Sequence, residues 1–266
     1  MILLVCIKQV PDTTEIKIDP ETNTLIRAGV PSIVNPFDAY ALEAAARVKD
    51  TFPDSKIIVI SMGPEQAKVA LKDCLAIAAD KAYLVSDRVF SGSDTLATSY
   101  ILSEAITKVA EIEGAIDIIL CGKQAIDGDT AQVGPEIAEY LDYPQVTCAL
   151  ELYVKDGRLE VKKEVEEGLE MIALNMPCLV TVTKPSFEPR MPTIKRKLAA
   201  SRAEIAVLSQ ADLNVDSSRI GLKGSPTKVK KTFTPPRKEG GVIIAEKTAG
   251  ESAAQLFALI SAAHVL

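Results

Sequence analysis

Residues 116–141 read IDIILCGKQAIDGDTAQVGPEIAEYL: an apolar run, a loop of small and polar residues, and the start of a helical segment. The run at 116–122 is typical of a buried strand. A strand, a small-residue loop and a helix start in succession leave backbone N–H groups free, and such groups can bind a phosphate. This stretch therefore predicts a nucleotide-binding unit built from alternating strands and helices.

The rest of the amino-terminal half repeats the same alternation. Further apolar runs at 2–7, 56–62, 82–86 and 178–183 predict buried strands. Helices are predicted after Asn35 as N-cap with Pro36 at the first position, from Pro64, and from Asp94. We expect an α/β fold with a doubly wound, mostly parallel sheet of the adenine-nucleotide-binding type, and ligands beyond the carboxyl ends of its strands.

The pattern changes after residue 145. The stretch ELYVKDGRLEVKKEV (151–165) and the run LEMIALN (169–175) predict an antiparallel extension of the sheet, with a turn at Asp156-Gly157. From about residue 185 the chain is irregular and richer in Pro and Lys, and is expected to bury little by itself. We expect residues 1–185 to form the nucleotide-binding domain. Residues 186–266 are then either a disordered linker or, as the apolar end SAAQLFALISAAHVL favours, a docking loop and a C-terminal arm on another subunit.

Composition excludes several classes of function. A net charge of -6 gives no basic field for nucleic acid and no polybasic membrane anchor. The first apolar run is too short for a signal peptide or a membrane span, so we expect a cytoplasmic protein without membrane insertion. The five cysteines show no Cys-x-x-Cys spacing, and the single histidine, His264, lies near the chain end. These features argue against metal sites, iron–sulfur clusters and Ser-His-Asp catalysis, so any redox chemistry comes from a cofactor.

The loop after residue 121 supplies most of the candidate cofactor-binding residues. Its glycines permit close backbone approach, and its amides, hydroxyl and carboxylates can contact a pyrophosphate or a ribose or cap the next helix, with Asp129 or Thr130 as the cap. An ordinary tight turn is the alternative, because no Walker A pattern is present. Two nearby carboxylates also suggest calcium, but no Glu follows at EF-hand spacing. The candidates are Gly122, Gln124, Asp127, Gly128, Asp129, Thr130, Ala131, Gln132, Val133 and Gly134.

Two further strand ends are candidates for the same crevice. The first strand ends in Cys6, Ile7, Val10, Pro11 and Asp12, where main-chain groups could face an adenine ring, although a simple Pro-Asp turn is the alternative. The next strand ends at Met62-Gly63. Asn35 and Asp38 at the first helix start are also included. All these segments meet at one edge if the strands are adjacent.

Five collinear segments give the chain a family resemblance. VCIKQVPDT (5–13), VNPFDAYALEAA (34–45), GKQAIDGDTAQVGP (122–135), KKEVEEGLEMIALNMPCLVTVT (162–183) and EPRMPTIKRK (188–197) resemble the beta subunit of electron-transfer flavoproteins. The resemblance implies a heterodimer with an alpha subunit that carries one FAD, and a second adenine nucleotide in this chain. The loop is similar to the electron-bifurcating and nitrogen-fixation-associated branch, which implies FAD that accepts electrons from NADH. The AMP of the simple electron carriers is the alternative.

The resemblance also implies docking residues. Arg190, Met191, Pro192 and Ile194 are similar to the loop that docks on an acyl-CoA dehydrogenase or reductase, with Met191 as the apolar anchor; a plain linker is the alternative. Glu164 matches a glutamate near the partner subunit's flavin, or is an ordinary strand residue. Ferredoxin is the second electron acceptor in the bifurcating branch. A nucleotide-binding sensor without redox function would need neither docking loop nor arm, and a stand-alone dehydrogenase is disfavoured because no residue set offers proton transfer.

Overall fold

The computed structural model describes residues 1–12, 31–228, 230 and 240–265. The described residues fall into two units, residues 1–12 with 31–228 and 230, and residues 240–265. The Pro- and Lys-rich stretch 231–239 lies outside the described residues. Within the described ranges, none of the helices is long and apolar enough to cross a membrane.

The first unit contains eleven strands and five helices among its described residues. Its strands are β1 (Ile2–Cys6), β2 (Gln9–Pro11), β3 (Ser32–Val34), β4 (Lys56–Met62), β5 (Lys81–Val85), β6 (Ile118–Gly122), β7 (Gln145–Lys155), β8 (Arg158–Val165), β9 (Gly168–Asn175), β10 (Cys178–Val182) and β11 (Ala206–Leu208). Its helices are α1 (Pro36–Thr51), α2 (Lys68–Ile77), α3 (Thr95–Glu113), α4 (Val133–Leu141) and α5 (Ile194–Arg202). The described part of the second unit contains helix α6 (Ala249–Ala262).

Nine strands form one sheet in the order β11-β5-β4-β1-β6-β10-β7-β8-β9. All pairs from β11 to β7 are parallel, whereas β7, β8 and β9 pair antiparallel. The order runs outward in both directions from β1 and β6, which makes their boundary the topological switch point where α/β proteins bind ligands. The predicted doubly wound sheet with an antiparallel extension is confirmed.

Helices cover both faces of the parallel strands, which explains why these strands are apolar throughout. Leu3 and Val5 of β1 lie in the core on the side of α1 and α2. Leu4 and Cys6 lie on the opposite side, with residues of α3 and α4 such as Ile101. A strand that is buried on both faces reads as an unbroken apolar run.

The sheet includes a strand that lies after residue 185, where the sequence predicts the end of the nucleotide-binding domain. Strand β11 pairs in parallel with β5, and Leu208, Leu213 and Ile220 are buried in the core on the α3 side. The expectation that the chain after residue 185 buries little is therefore corrected for the segment 206–220, which adds a strand and three buried side chains to the first unit. The strand is only three residues long, which leaves too short an apolar pattern to detect.

Candidate functional site

The three strand ends singled out in the sequence line one cleft at the carboxyl edge of the sheet. The cleft has a volume of about 880 Å³, within the range of small-molecule and cofactor sites. It is lined by Cys6, Ile7, Val10, Pro11, Asp38, Met62, Gly63, Gly122, Gln124, Asp127, Gly128, Thr130, Ala131, Gln132, Val133 and Gly134. The remaining candidates, Asp12, Asn35 and Asp129, do not line it.

Sequence reasoning missed a second wall of the cleft. The segment after β5 lines it with polar side chains that include Ser86, Arg88, Ser93, Thr95 and Thr98. Strand β5 ends at the same sheet edge as β1 and β4, so the rule applied to those strands could have found this segment. Helix α3 also begins here, at the predicted start, and Asp94 caps it, since its carboxylate accepts from the Ala97 N–H at 3.1 Å.

Asn35 joins helix α1 to the loop after β6 rather than capping the helix. It occupies the N-cap position, but its side chain makes no capping hydrogen bond. Its amide donates to the Gln124 carbonyl oxygen at 2.9 Å, and its Oδ1 accepts from the Ile126 N–H at 3.1 Å. The side chain is fully buried, so these bonds replace water for both groups. The prediction that Asn35 caps helix α1 is therefore corrected. Asn35 positions the loop after β6 although it does not itself line the cleft.

Asp38 joins the same helix to two strand ends. Its carboxylate accepts from the backbone N–H of Lys8 at 2.7 Å, from Gly122 at 3.2 Å and from the Asn35 amide at 2.9 Å. Burial raises the pKa of the Asp38 carboxyl to about 7, against the lowering effect of these hydrogen bonds. The residue fixes the floor of the cleft by holding β1 and β6 to the start of α1.

The loop between β6 and α4 is held by bonds within itself and to β1. Gln124 donates to the Asp129 carboxylate at 2.7 Å, and Lys8 Nζ bonds Asp127 at 2.7 Å. Asp129 and Ala131 have φ of 51° and 54°, in the left-handed region. Backbone strain of this kind concentrates at ligand-binding loops.

Helix α4 begins without a side-chain cap. Its N-cap position is Gln132, and neither Asp129 nor Thr130 caps it, which corrects the prediction. The Asp129 carboxylate is engaged by Gln124 instead. Since the first helical turn has free N–H groups where no side chain accepts from them, Val133 and Gly134 offer donors at the cleft wall.

Two glycines of the loop region have steric roles that differ from the expectation. A Cβ at Gly134 would lie 2.5 Å from Thr181 Cγ2, and one at Gly122 would lie 2.7 Å from the Asp38 backbone nitrogen. A Cβ at Gly128 meets no protein atom within 4 Å. Gly122 and Gly134 are therefore required for packing, whereas Gly128 leaves open space toward the cleft.

A metal site finds no support in this part of the molecule. Asp127 and Asp129, the pair that suggested calcium, bond Lys8 and Gln124 respectively. Among the residues that the structure describes, no group of three or more His, Cys, Asp or Glu side chains could hold a metal ion.

The predicted docking residues lie apart from the cleft lining. Met191 and Ile194 are 85% and 80% exposed, and Pro192 lies between them. Arg190 instead turns inward and bonds Glu43 and Asp50 of helix α1. Glu164 is exposed near the end of β8, opposite Leu169 of β9.

Comparison with known proteins agrees with this architecture. The family profile described as "Electron transfer flavoprotein domain" matches residues 22–213. The chain is 53% identical over 255 residues to the electron transfer flavoprotein subunit beta of Megasphaera elsdenii, covering 95% of this chain and 94% of that protein. It is 45% identical over the full length of both chains to the Caffeyl-CoA reductase-Etf complex subunit CarD of Acetobacterium woodii. It is 45% identical to the Protein FixA of Azotobacter vinelandii, covering 91% of this chain and 87% of that protein. The chain belongs to the family of electron transfer flavoprotein beta subunits.

Proposed function

We propose that this chain binds FAD in the cleft and, with an alpha subunit that carries a second flavin, performs electron bifurcation. NADH is the electron donor, and the acceptors are ferredoxin and an acyl-CoA dehydrogenase or reductase. The setting is the cytoplasm. The observation that carries the proposal is the size of the cleft, about 880 Å³, between two polar walls.

The residues of the cleft fit an FAD. The uncapped start of α4, with the N–H groups of Val133 and Gly134, suits the pyrophosphate, because free amides and the helix dipole favour negative charge. Apolar side chains such as Ile7, Val10 and Met62 line the cleft where rings can pack. When bound, FAD supplies the electron-accepting chemistry, and the chain's own residues bind it, orient it and exclude water.

The second wall favours FAD over AMP. AMP bound at the α4 end would contact the loop at 122–134 but leave the space toward Ser86, Arg88 and Thr98 unfilled. FAD carries in addition a riboflavin phosphate of roughly AMP's own size. The full-length relative CarD is by its name a subunit of a Caffeyl-CoA reductase-Etf complex, and this supports the bifurcating branch. The relatives named only as beta subunits leave the AMP-containing carrier as the alternative.

An alpha subunit is the expected partner of the C-terminal arm. Helix α6 has no buried residue, and Leu256, Phe257 and Leu259 on it are 50%, 64% and 46% exposed. Apolar side chains exposed together in this way mark an interaction surface. We expect the chain expressed alone to aggregate or lose its nucleotide, which sedimentation and nucleotide extraction can measure. A stable monomer with its tail protected from proteolysis would contradict the heterodimer.

Electron transfer with two acceptors tests the proposed function. The co-expressed heterodimer is mixed with NADH, ferredoxin and a purified acyl-CoA dehydrogenase, with and without the enoyl-CoA that this enzyme reduces. Bifurcation predicts that NADH reduces ferredoxin only when the enoyl-CoA acceptor is also present, because the unfavourable transfer to ferredoxin is coupled to the favourable reduction of enoyl-CoA to acyl-CoA. Reduction of the flavoprotein by the dehydrogenase as it oxidises acyl-CoA to enoyl-CoA, with no oxidation of NADH, would favour the simple carrier.

A further inference from the structure

The segment before helix α5 is fixed to helix α1 by one arginine. Arg190 Nε and Nη2 bond the two oxygens of Glu43 at 2.8 and 3.0 Å, and its backbone N–H donates to the same carboxylate at 3.1 Å. Nη1 and Nη2 bond Asp50 at 3.2 and 2.7 Å. The hydrogen bonds that the guanidinium donates to Asp50 and Glu43 raise its pKa. Paired bidentate bonds fix position and orientation together.

A second arginine fixes helix α5 to the end of helix α2. Arg196 Nη2 donates to the carbonyl oxygens of Leu75 at 2.9 Å and Ala79 at 2.8 Å, and its Nε donates to Ala76 at 3.3 Å. These carbonyls belong to the last turn of α2 and the residues after it, where a cation is favoured by the helix dipole.

The two arginines hold an exposed apolar ridge, which we define as Met191, Ile194 and Leu198. These side chains are 85%, 80% and 56% exposed. Ile194 and Leu198 are four residues apart in α5 and so share one face of the helix. Thr193 caps this helix, since its hydroxyl accepts from the Arg196 N–H at 3.2 Å, and Met191 lies two residues before this cap.

Helix α1 links this ridge to the cofactor cleft. Its first turn bonds the cleft loop through Asn35 and Asp38, and its later turns bond Arg190 through Glu43 and Asp50. A single helix of 16 residues therefore fixes both segments. Sites that depend on precise placement are best supported by rigid elements.

We propose that Arg190 and Arg196 are positioning residues that preorganise the ridge for an apolar pocket on the partner dehydrogenase, with Leu198 as a third anchor. The inference rests on the proposed transfer of electrons to an acyl-CoA dehydrogenase, and on the docking role that the family resemblance implies for Met191. Preorganisation lowers the entropy lost on binding, so loss of Arg190 weakens docking and leaves the cofactor and the chemistry unchanged.

The test compares Arg190→Gln, Arg190→Lys and Lys195→Gln in the heterodimer. Lys195 is the matched control, an exposed cation in helix α5, five residues after Arg190. Hydrogen exchange of residues 187–198, flavin content and melting temperature are measured, and KM and kcat are determined with a purified acyl-CoA dehydrogenase as acceptor. We expect Arg190→Gln to speed exchange and raise KM by about tenfold, the loss of one charged hydrogen bond, at unchanged kcat. Arg190→Lys should fall between, and Lys195→Gln should match the unmodified protein.

The outcomes separate the inference from the function on which it rests. If Met191→Glu raises KM and Arg190→Gln does not, the positioning role of Arg190 is overturned, whereas the docking assignment of Met191 stands. A KM unchanged in both variants overturns the docking assignment and this inference with it. If Arg190→Gln fails to fold, Glu43→Gln with Arg190→Gln removes the charge from Glu43, and the same criteria apply to that pair.

Discussion

Replacing Gly122 by alanine should loosen the cleft at its floor. A Cβ there would lie 2.7 Å from both the Asp38 nitrogen and the Phe37 carbonyl carbon, and would also collide with Asp38 Oδ1. Two of the three contacted atoms are backbone in the first turn of α1. The helix itself must therefore move by about 0.7 Å to reach the shortest ordinary contact of 3.4 Å. A side-chain rotation cannot relieve the clash.

The expected magnitude follows from these contacts. Overpacking costs about 1–3 kcal/mol, and weakening the Asp38 bonds to Lys8 and Gly122 adds about 1 kcal/mol. Replacing glycine by alanine lowers the conformational entropy of the unfolded chain, which stabilises the folded state by about 0.4–1 kcal/mol. A net loss of about 1–3.6 kcal/mol lowers Tm by roughly 2–14 °C in a domain of this size.

Thermal unfolding of the purified heterodimer measures this effect, with Gly128→Ala as the matched control. No protein atom lies within 4 Å of a Cβ at Gly128, so the control has no overpacking cost and should melt at the temperature of the unmodified protein or slightly above it. Bound nucleotide should fall in Gly122→Ala, because Lys8 and the loop shift together. Equal melting temperatures for the two variants would refute the packing argument.

Three further predictions concern the cleft and the docking ridge. Burial keeps Asp38 protonated in the folded chain up to about pH 7, whereas the unfolded carboxyl ionises near 3.9. The folded state thus binds the extra proton in that window, so stability falls as pH rises through it, by roughly 2 kcal/mol between about pH 5.5 and about pH 7.5. Denaturant unfolding should show this slope, and its persistence in Asp38→Asn would exclude Asp38 as the cause. Gly128→Val should empty the site by blocking the pyrophosphate while the alpha flavin remains; full nucleotide content by mass spectrometry would contradict this. Met191→Glu should slow transfer to an acyl-CoA dehydrogenase by about tenfold or more at unchanged cofactor content, because a charge enters an apolar pocket at a desolvation cost; an unchanged rate would show that the residue does not dock.

The sheet could be predicted from the sequence because its physical signal is local. Strands such as β1 and β6 are buried on both faces and therefore appear as unbroken apolar runs. Their carboxyl ends define the ligand edge by topology alone. The convergence of Val10, Met62 and the loop after Gly122 on one cleft followed from that rule.

The roles of individual polar side chains could not be predicted in the same way. Asn35 has the residue type and position of a helix cap, yet its partners are Gln124 and Ile126, about ninety residues away in sequence. Arg190 looked like an exposed docking contact, but Glu43 and Asp50 hold it. A long-range hydrogen bond leaves no periodicity in the sequence, so only the folded chain identifies it.

The flavin content of the co-expressed heterodimer tests the central claim most directly. Nucleotides are extracted and counted per heterodimer, and NADH is then titrated anaerobically while flavin absorbance is followed. Bifurcation with FAD in the cleft predicts two FAD per heterodimer, no AMP, and bleaching of flavin by NADH. One FAD with one AMP and no response to NADH would contradict the claim and leave a simple electron carrier.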